Sequence, residues 1–433
     1  MEQNKKRVHR SWAMYDWANS VYNLVITTTF FPVYYNAVSG VKNYPDGVEL
    51  FGCKFVNTAL KDYVLGFAFL IIAFISPILS SIADYRGNKK KFMQFFCTMG
   101  SIACCGLFFF NKDNIGYGLL CFMLAAIGFW SSLVFYNSYL PEIADEKERD
   151  KLSAKGFSYG YVGSVLMQLI GFALVTFWPD KESATPVLIT FLLVGLWWIG
   201  FAQISFKGLP KGKAMEQHPE YNIFLNGFHE LKKVWKQVKQ LKVLRNYLGA
   251  FFLYSIGVQT IMIVAVDFGD KVLQLPAVKL IVTVVIIQLV AILGAWIISR
   301  LSGIFGNIQV LIGVVCIWVG VCVFGYYMQT EMHFYGIAVV VGMVMGGIQS
   351  LSRSTYSKLM PATKDTASFF SFYDVTEKLA IVVGMFSFGF IEELTGSMRN
   401  SVLAVLSFFV LGGIMLVVTL LRAKKQNLQS TVV

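Results

Sequence analysis

Long apolar segments of about twenty residues, separated by polar connections, repeat along the whole chain. A helix needs roughly 20 apolar residues to cross about 30 Å of hydrocarbon, and only helices or closed barrels satisfy the backbone there. These segments are too long and too uniformly apolar for barrel strands, so the pattern predicts an all-α membrane protein of twelve transmembrane helices. The predicted helices are Trp12–Val38, Asp62–Ala83, Phe92–Phe110, Gly116–Leu140, Ala154–Trp178, Pro186–Phe206, Arg245–Phe268, Ala277–Arg300, Gly306–Met328, Phe334–Leu359, Ala367–Ile391 and Ser401–Leu421.

The composition and the charge pattern agree with this prediction. Of the 433 residues, 56% are hydrophobic and only 14% are charged, whereas soluble proteins carry about 25% charged residues. The formal net charge is +12, but the basic residues concentrate in alternate connections. This is the positive-inside pattern, which argues against nucleic-acid binding and places both termini in the cytoplasm.

One connection near the middle of the chain is long and basic. In residues 207–244, Phe224, Phe228, Leu231, Trp235 and Val238 recur at helical spacing, beside Lys232, Lys233, Lys236 and Lys239. This pattern predicts an amphipathic helix on the anionic membrane surface, and the alternative is a solvated linker helix. We therefore expect an N-terminal six-helix bundle (1–206), a cytoplasmic linker (207–244) and a C-terminal six-helix bundle (245–433).

The two halves of the chain echo one another. The pairs Gly87-Asn88 and Gly306-Asn307 follow the second and the eighth predicted helix. They are separated by almost the same number of residues as Pro141 and Pro361, which end the fourth and tenth helices. Two similar six-helix bundles related by an axis along the membrane normal are the major facilitator arrangement.

Five local motifs carry a more specific resemblance. They are Trp12-Ala13-Met14-Tyr15-Asp16-Trp17-Ala18-Asn19-Ser20, Tyr136-Asn137-Ser138-Tyr139-Leu140-Pro141-Glu142, Gly160-Tyr161-Val162-Gly163, Gly347-Ile348-Gln349-Ser350-Leu351-Ser352-Arg353-Ser354 and Phe372-Tyr373-Asp374-Val375. Together they resemble the autophagy-related vacuolar amino-acid effluxer family, over nearly the whole chain. In the fungal branch the resemblance implies export of amino acids from the vacuole. The short loops are typical of a bacterial member, which we expect to be multi-pass in the inner (cell) membrane.

The loop after the second helix is similar to a superfamily motif. Asp84, Arg86 and Gly87, with the trailing lysines, match its acid, its Arg-Gly pair and its basic residues. The resemblance implies a gate that stabilises the outward-open state. It also implies that the first, fourth, seventh and tenth helices line a central cavity.

Polar residues in the first helix are candidates for that cavity. Asp16, Asn19, Asn23 and Thr27 are three or four residues apart, with Tyr22 alongside, so on an α-helix they form one stripe. A charged group in lipid costs roughly 2.5–3.5 kcal/mol on insertion scales and is usually functional. The alternative is that Asp16 and Asn19 cap or pack the cytoplasmic end of the helix.

The tenth helix supplies Gln349 and Arg353. Arg353 could clamp a substrate carboxylate through two parallel hydrogen bonds, or it could be a structural partner of Asp374 or Glu377. We also expect Tyr136, Asn137 and Gln259 to line the cavity.

The eleventh helix carries Asp374, Glu377 and Lys378. An acid without a full-time partner could take up protons, since burial favours its neutral form, and this makes Asp16, Asp374 and Glu377 candidates for proton coupling. Asp374 and Lys378 are four residues apart and could instead form a structural pair.

The sequence therefore predicts a secondary transporter of a small polar solute that works by alternating access. Amino-acid efflux and proton coupling are the finer hypotheses. A lipid or amphiphile flippase or exporter on the same fold, and a non-transporting membrane receptor, are the alternatives. The chain has no phosphate-binding loop, no metal-ligand spacing among its four histidines and no catalytic constellation. We expect no cofactor, no metal and no enzymatic activity, with membrane lipids and protons as further partners.

Overall fold

The computed structural model describes residues 2–40, 42–50, 52–180, 183–211 and 223–431. These residues are almost entirely helical, apart from one antiparallel hairpin of β1 (Val48–Leu50) and β2 (Cys53–Phe55), in which Val48 lies opposite Phe55. The helices are α1 (Glu2–Val21), α2 (Phe31–Ser39), α3 (Asn57–Arg86), α4 (Lys89–Gly106), α5 (Ile115–Ser138), α6 (Leu140–Ile143), α7 (Glu146–Phe177), α8 (Thr185–Gly208), α9 (Ile223–Gln240), α10 (Lys242–Lys271), α11 (Ala277–Phe305), α12 (Asn307–Tyr327), α13 (Glu331–Leu359), α14 (Thr366–Thr395) and α15 (Met398–Thr431), with a π-helix at Tyr22–Phe30 and 3₁₀ turns at Leu107–Phe109 and Lys112–Asn114.

Ten helices in the described part of the chain are long and apolar enough to cross a membrane. The other two predicted spans are also helical, but they carry more polar residues. The first runs through α1, the π-helix and α2, where Asn, Thr and Tyr lower the hydropathy. The second is α14, whose apolar run Asp374, Glu377 and Lys378 interrupt. The two spans that fall short are therefore the ones whose apolar runs are interrupted most by polar or charged residues.

The helices form two compact units. Unit 1 comprises Met1–Tyr136 and Tyr159–Gln217, and unit 2 comprises Asn137–Ser158 and His218–Val433. The short stretch of residues 137–158, which we call the α5–α7 connection, thus belongs to unit 2. The predicted boundaries of the N-terminal bundle (1–206), the linker (207–244) and the C-terminal bundle (245–433) remain a prediction. The helix expected in the central connection corresponds to α9, although the side chains of Phe224, Phe228 and Leu231 lie outside the described residues.

Small residues allow the helices of unit 1 to approach closely. A side chain at Gly160 would collide with Ser20, and one at Gly163 with the backbone oxygen of Trp17, so α7 packs directly on α1. The Gly160-Tyr161-Val162-Gly163 motif therefore has a packing role, in which small residues bring helix backbones together. Aromatic rings fill the remaining core, as where Phe31 and Phe122 stack with their centroids 3.9 Å apart.

In unit 2, α11 and α13 pack against each other at close range. A Cβ atom at Gly294 would overlap the Met343 carbonyl, and one at Gly346 would overlap the Ala291 carbonyl. Gly294 of α11 and Gly346 of α13, the residue just before the tenth-helix motif, therefore allow the two backbones to approach closely.

The repeated Gly-Asn pairs occupy corresponding helix ends, although ψ is 26° at Gly87 and 150° at Gly306. Gly87 ends α3 with φ 61°, and Gly306 ends α11 with φ 90°. Both values lie in the region that favours glycine. In each case the following asparagine, Asn88 or Asn307, stands at the start of the next helix.

A π-helix replaces the continuous α-helix that the pattern predicts for the first span. Three side-chain donors reach the Leu24 carbonyl oxygen: Thr28 Oγ1 at 2.8 Å, Thr29 Oγ1 at 2.9 Å and Gln168 Nε2 at 2.8 Å. Side chains that enter the backbone ladder distort helices, and π segments occur frequently at functional sites. The predicted stripe assumes α-helical spacing, which holds for Asp16 and Asn19 but not for Asn23 and Thr27.

The α11–α13 contact can be tested with two alanine substitutions in α13. We expect Gly346→Ala to lower the melting temperature of the purified protein, because overpacking costs about 1–3 kcal/mol. Gly336→Ala is the matched control, since the space around Gly336 is open. Equal melting temperatures for the two variants would contradict the predicted contact.

Candidate functional site

Asp16 lies in the interior of unit 1, where only 4% of it is exposed. The Tyr136 hydroxyl donates a hydrogen bond of 2.7 Å to Asp16 Oδ2. Trp12 also contacts Tyr136. Its indole N–H donates to the Tyr136 backbone carbonyl at 3.0 Å, and the centres of the two rings are 4.4 Å apart. Asp16 and Tyr136, both predicted site residues, are therefore brought together by α1 and α5.

The other candidates of the first span have different surroundings. Asn19 is fully buried, and its Nδ2 has no hydrogen-bond partner among the described residues. Tyr22 is also buried; its hydroxyl donates to the Phe122 carbonyl at 3.5 Å, and its ring packs against Phe129. Asn23 is only half-buried. Tyr22 is thus a core residue, whereas Asn19 presents an unused donor beside Asp16.

The three predicted gate residues have unequal exposure. Asp84 is buried, Arg86 is exposed and Gly87 adopts the left-handed conformation that the turn requires. Nearby, Lys90 Nζ donates to the Leu209 carbonyl at 2.8 Å and ties the start of α4 to the end of α8.

Arg353 is buried in unit 2, with 3% of the residue exposed. Its Nε donates to Ser153 Oγ at 2.9 Å, its Nη2 to the Ser153 carbonyl at 2.9 Å and its Nη1 to Asn137 Oδ1 at 3.1 Å. The guanidinium also lies 4.3 Å from the centre of the Phe157 ring. The α5–α7 connection therefore holds a residue predicted either as a substrate clamp or as a structural partner of acids in α14. Gln349, one turn earlier, donates to Met262 Sδ at 3.5 Å.

A second polar cluster in unit 2 was not predicted. The buried Asp150 carboxylate receives Lys358 Nζ at 2.5 Å, Asn307 Nδ2 at 2.8 Å and Ser302 Oγ at 3.1 Å. Asn307 also donates to Thr355 Oγ1 at 3.1 Å. Asp150 lies in a run that mixes acidic and basic residues, so its own surroundings in the sequence do not single it out. Asn307 belongs to the repeated Gly-Asn pair, but that signal does not show that the two residues meet.

Further bonds fix the ends of the α5–α7 connection. Arg149 Nη1 donates to the Ser357 carbonyl at 2.7 Å, and Ser153 Oγ donates to the Ser350 carbonyl at 2.8 Å. The Thr366 hydroxyl donates to Glu142 Oε1 at 2.7 Å. The connection is therefore held along its length by α13 and by the first residue of α14.

Two acids and one lysine form a third cluster, on α14. Lys378 is almost fully buried, with its Nζ 3.1 Å from Asp374 Oδ1 and 3.1 Å from Glu377 Oε2. Gln259 of α10 donates to Glu377 Oε1 at 3.0 Å. Asp374 Oδ2 is buried with no hydrogen-bond partner in the described part of the chain. We call Gln259, Asp374, Glu377 and Lys378 the acid–lysine cluster; it joins one predicted cavity residue to the two α14 acids proposed for proton coupling.

Metal binding has no support from the residues that the structure describes. No three or more His, Cys, Asp or Glu side chains in them are grouped in a way that could hold a metal ion.

The family model "Vacuole effluxer Atg22 like" matches residues 4–428. The chain belongs to this family. A curated relative is an uncharacterized MFS-type transporter of Bacillus subtilis (strain 168), YxiO, which is 32% identical and aligns over 94% of this chain and 93% of its own. Autophagy-related protein 22 of Kluyveromyces lactis is 25% identical over 94% of this chain and 92% of its own.

Solved structures show the same architecture for this Atg22-like chain. The human organic anion transporter MFSD10 superposes with a TM-score of 0.73 at 11% identity and covers 95% of this chain and 99% of its own. The proton:xylose symporter XylE superposes with a TM-score of 0.69 at 13% identity, and the match covers 95% of each chain. The fold is therefore the major facilitator fold, with twelve transmembrane helices in two pseudo-symmetric six-helix bundles. The resemblance is confirmed: the protein is a multi-pass membrane transporter and not an enzyme.

The Asp150 cluster can be tested by a double-mutant cycle. We expect Asp150→Asn and Lys358→Met each to destabilise the protein by about 1–3 kcal/mol, because each leaves a buried or half-buried charged partner unsatisfied. The double variant should lose less than the sum of the two, since neighbouring residues couple. Thermal unfolding of the purified variants measures these effects, with the exposed Glu146→Gln as control. Strict additivity would show that the two side chains do not depend on each other.

Proposed function

We propose that this Atg22-like protein is a secondary exporter of a small polar solute, with amino acids as the first substrate class to test. It acts by alternating access in the bacterial cell membrane, with both termini in the cytoplasm. The family description "Vacuole effluxer" and the bacterial relative support efflux from a compartment or cell. The basic residues in alternate connections support the orientation.

The observation that carries the proposal is the acid–lysine cluster. Three ionisable side chains stand within one turn of α14, and all three are shielded from solvent to a large extent. Charged residues at such positions are expensive, and in transporters they mark substrate or ion pathways.

The cluster also supports proton coupling. Two carboxylates share one ammonium group, so the three side chains of the fully ionised cluster carry a net charge of −1. Uptake of one proton by Asp374 or Glu377 would leave a balanced acid–lysine pair. Glu377 is held by Gln259 and Lys378, whereas Asp374 retains an oxygen with no hydrogen-bond partner among the described residues. We therefore assign the exchangeable proton to Asp374.

Each unit by itself offers polar groups that are candidates for substrate contact. In unit 1, Asp16 and the unused amide donor of Asn19 provide an acceptor and a donor on one face of α1. In unit 2, Arg353 is the group suited to a carboxylate. Its donors are bound to Ser153 and Asn137, so a substrate carboxylate would have to compete with the α5–α7 connection. Such competition would couple substrate binding to movement of that connection.

Reconstituted transport tests the proposal. In proteoliposomes, we expect wild-type protein to exchange labelled amino acids and to accumulate them against a gradient when a pH difference is imposed. Asp374→Asn should keep exchange but lose the pH-driven accumulation by at least tenfold, because the proton carrier is removed. Glu393→Gln, at the exposed end of the same helix, is the control.

The outcomes separate the two parts of the proposal. Accumulation by Asp374→Asn at the wild-type level would remove the proton assignment but leave transport intact. Failure of the wild-type protein to exchange any member of an amino-acid mixture would remove the substrate class.

A further inference from the structure

We propose that α9 is a binding surface for anionic phospholipid headgroups, with Lys232, Lys236 and Lys239 as the contacting side chains. This inference concerns a surface of unit 2 that is separate from the proposed transport residues, and it holds whatever solute is carried.

The first step is the orientation of α9. Val234 and Val238 are buried against the rest of unit 2, and α9 packs on α10 and α14. At roughly 100° per residue, Lys232, Lys236 and Lys239 fall within one narrow sector on the opposite face. All three are exposed. The helix therefore has one face fixed to the protein and a continuous lysine stripe directed away from it.

Contacts at the edges of the stripe hold this orientation. Trp235 stacks on Phe372 of α14 with the ring centres 5.6 Å apart. Lys233 Nζ lies 3.5 Å from the carboxylate of Asp365, which is buried at the start of α14. Lys233 is thus engaged within the protein, whereas the three stripe lysines are carried on the opposite side.

Trp235 identifies the kind of partner. It is 46% exposed although it stacks on Phe372, and Lys239 Nζ lies 5.1 Å from the centre of its ring. Half-exposed tryptophan beside lysine is the combination found at the headgroup level of membranes. An amphipathic helix with a basic outer face binds anionic lipid by charge attraction and by its aromatic residue. In a multi-pass membrane protein, the lysine stripe of α9 can reach lipid headgroups where α9 lies at the membrane surface.

Melting temperatures in nanodiscs of two compositions test the assignment. The full-length protein is placed in pure phosphatidylcholine and in phosphatidylcholine with about one-third phosphatidylglycerol. We expect the anionic lipid to raise the melting temperature of the wild-type protein. The triple variant Lys232→Gln, Lys236→Gln and Lys239→Gln should lose most of that shift, while its melting temperature in pure phosphatidylcholine stays at the wild-type value.

A second triple variant controls for charge alone. Lys147→Gln, Lys151→Gln and Lys155→Gln remove the same number of exposed lysines, at the start of α7, and should keep the shift. The proposal is overturned if the α9 variant keeps the shift, or if both variants lose it equally. It is also overturned if the wild type shows no difference between the two lipids, which is the result expected of a surface that binds an acidic soluble protein.

Discussion

Hydrocarbon does not solvate polar groups, and this constraint explains most of what the structure does with its charged residues. A charge within a membrane helix must face the interior and find partners there. Asp16 receives the hydroxyl of Tyr136, and Arg353 donates to Ser153 and Asn137. Each pairing joins residues far apart in sequence, so satisfying a charge also fixes which helices are neighbours. The polar contacts of the spans are therefore structural constraints as well as candidate functional groups.

The same constraint shows why the fold could be predicted and much of the site could not. Long apolar runs and the repeated Gly-Asn turns are local signals, and they sufficed for the twelve spans and the two-bundle architecture. The π-helix was not predicted, and one of the bonds to its Leu24 carbonyl comes from Gln168, a residue far along the chain. Ser153 and Asp150 were missed for a similar reason: nothing near them in sequence shows that they meet Arg353 and Lys358.

Local spacing was informative where both partners lie on one helix. Asp374 and Lys378 are four residues apart and do form an ion pair in α14. Spacing could not reveal that Glu377 shares the same ammonium, or that Gln259 of α10 binds the other oxygen of Glu377. The two acids and the lysine lie on one helix, and only the bond from Gln259 to Glu377 is a tertiary contact. The proposed proton step depends on this group of two acids and one lysine.

The two Gly-Asn turns share a glycine with positive φ, but the two glycines differ in ψ and the side chains that follow make different contacts. Gly87 and Gly306 both have positive φ, a demand of the turn itself that any copy must meet. The asparagines that follow are not equivalent in their contacts. Asn307 is bound to Asp150, Lys358 and Thr355, whereas Asn88 Oδ1 is buried with no hydrogen-bond partner in the described ranges. The acid Asp84 precedes the first turn, and Gly303 stands at the matching position before the second. In unit 2 the acid comes instead from the α5–α7 connection, as Asp150. Backbone geometry therefore constrains the glycine in both turns, while the acid near the second turn comes from a different element and binds the half-buried Asn307 and Lys358.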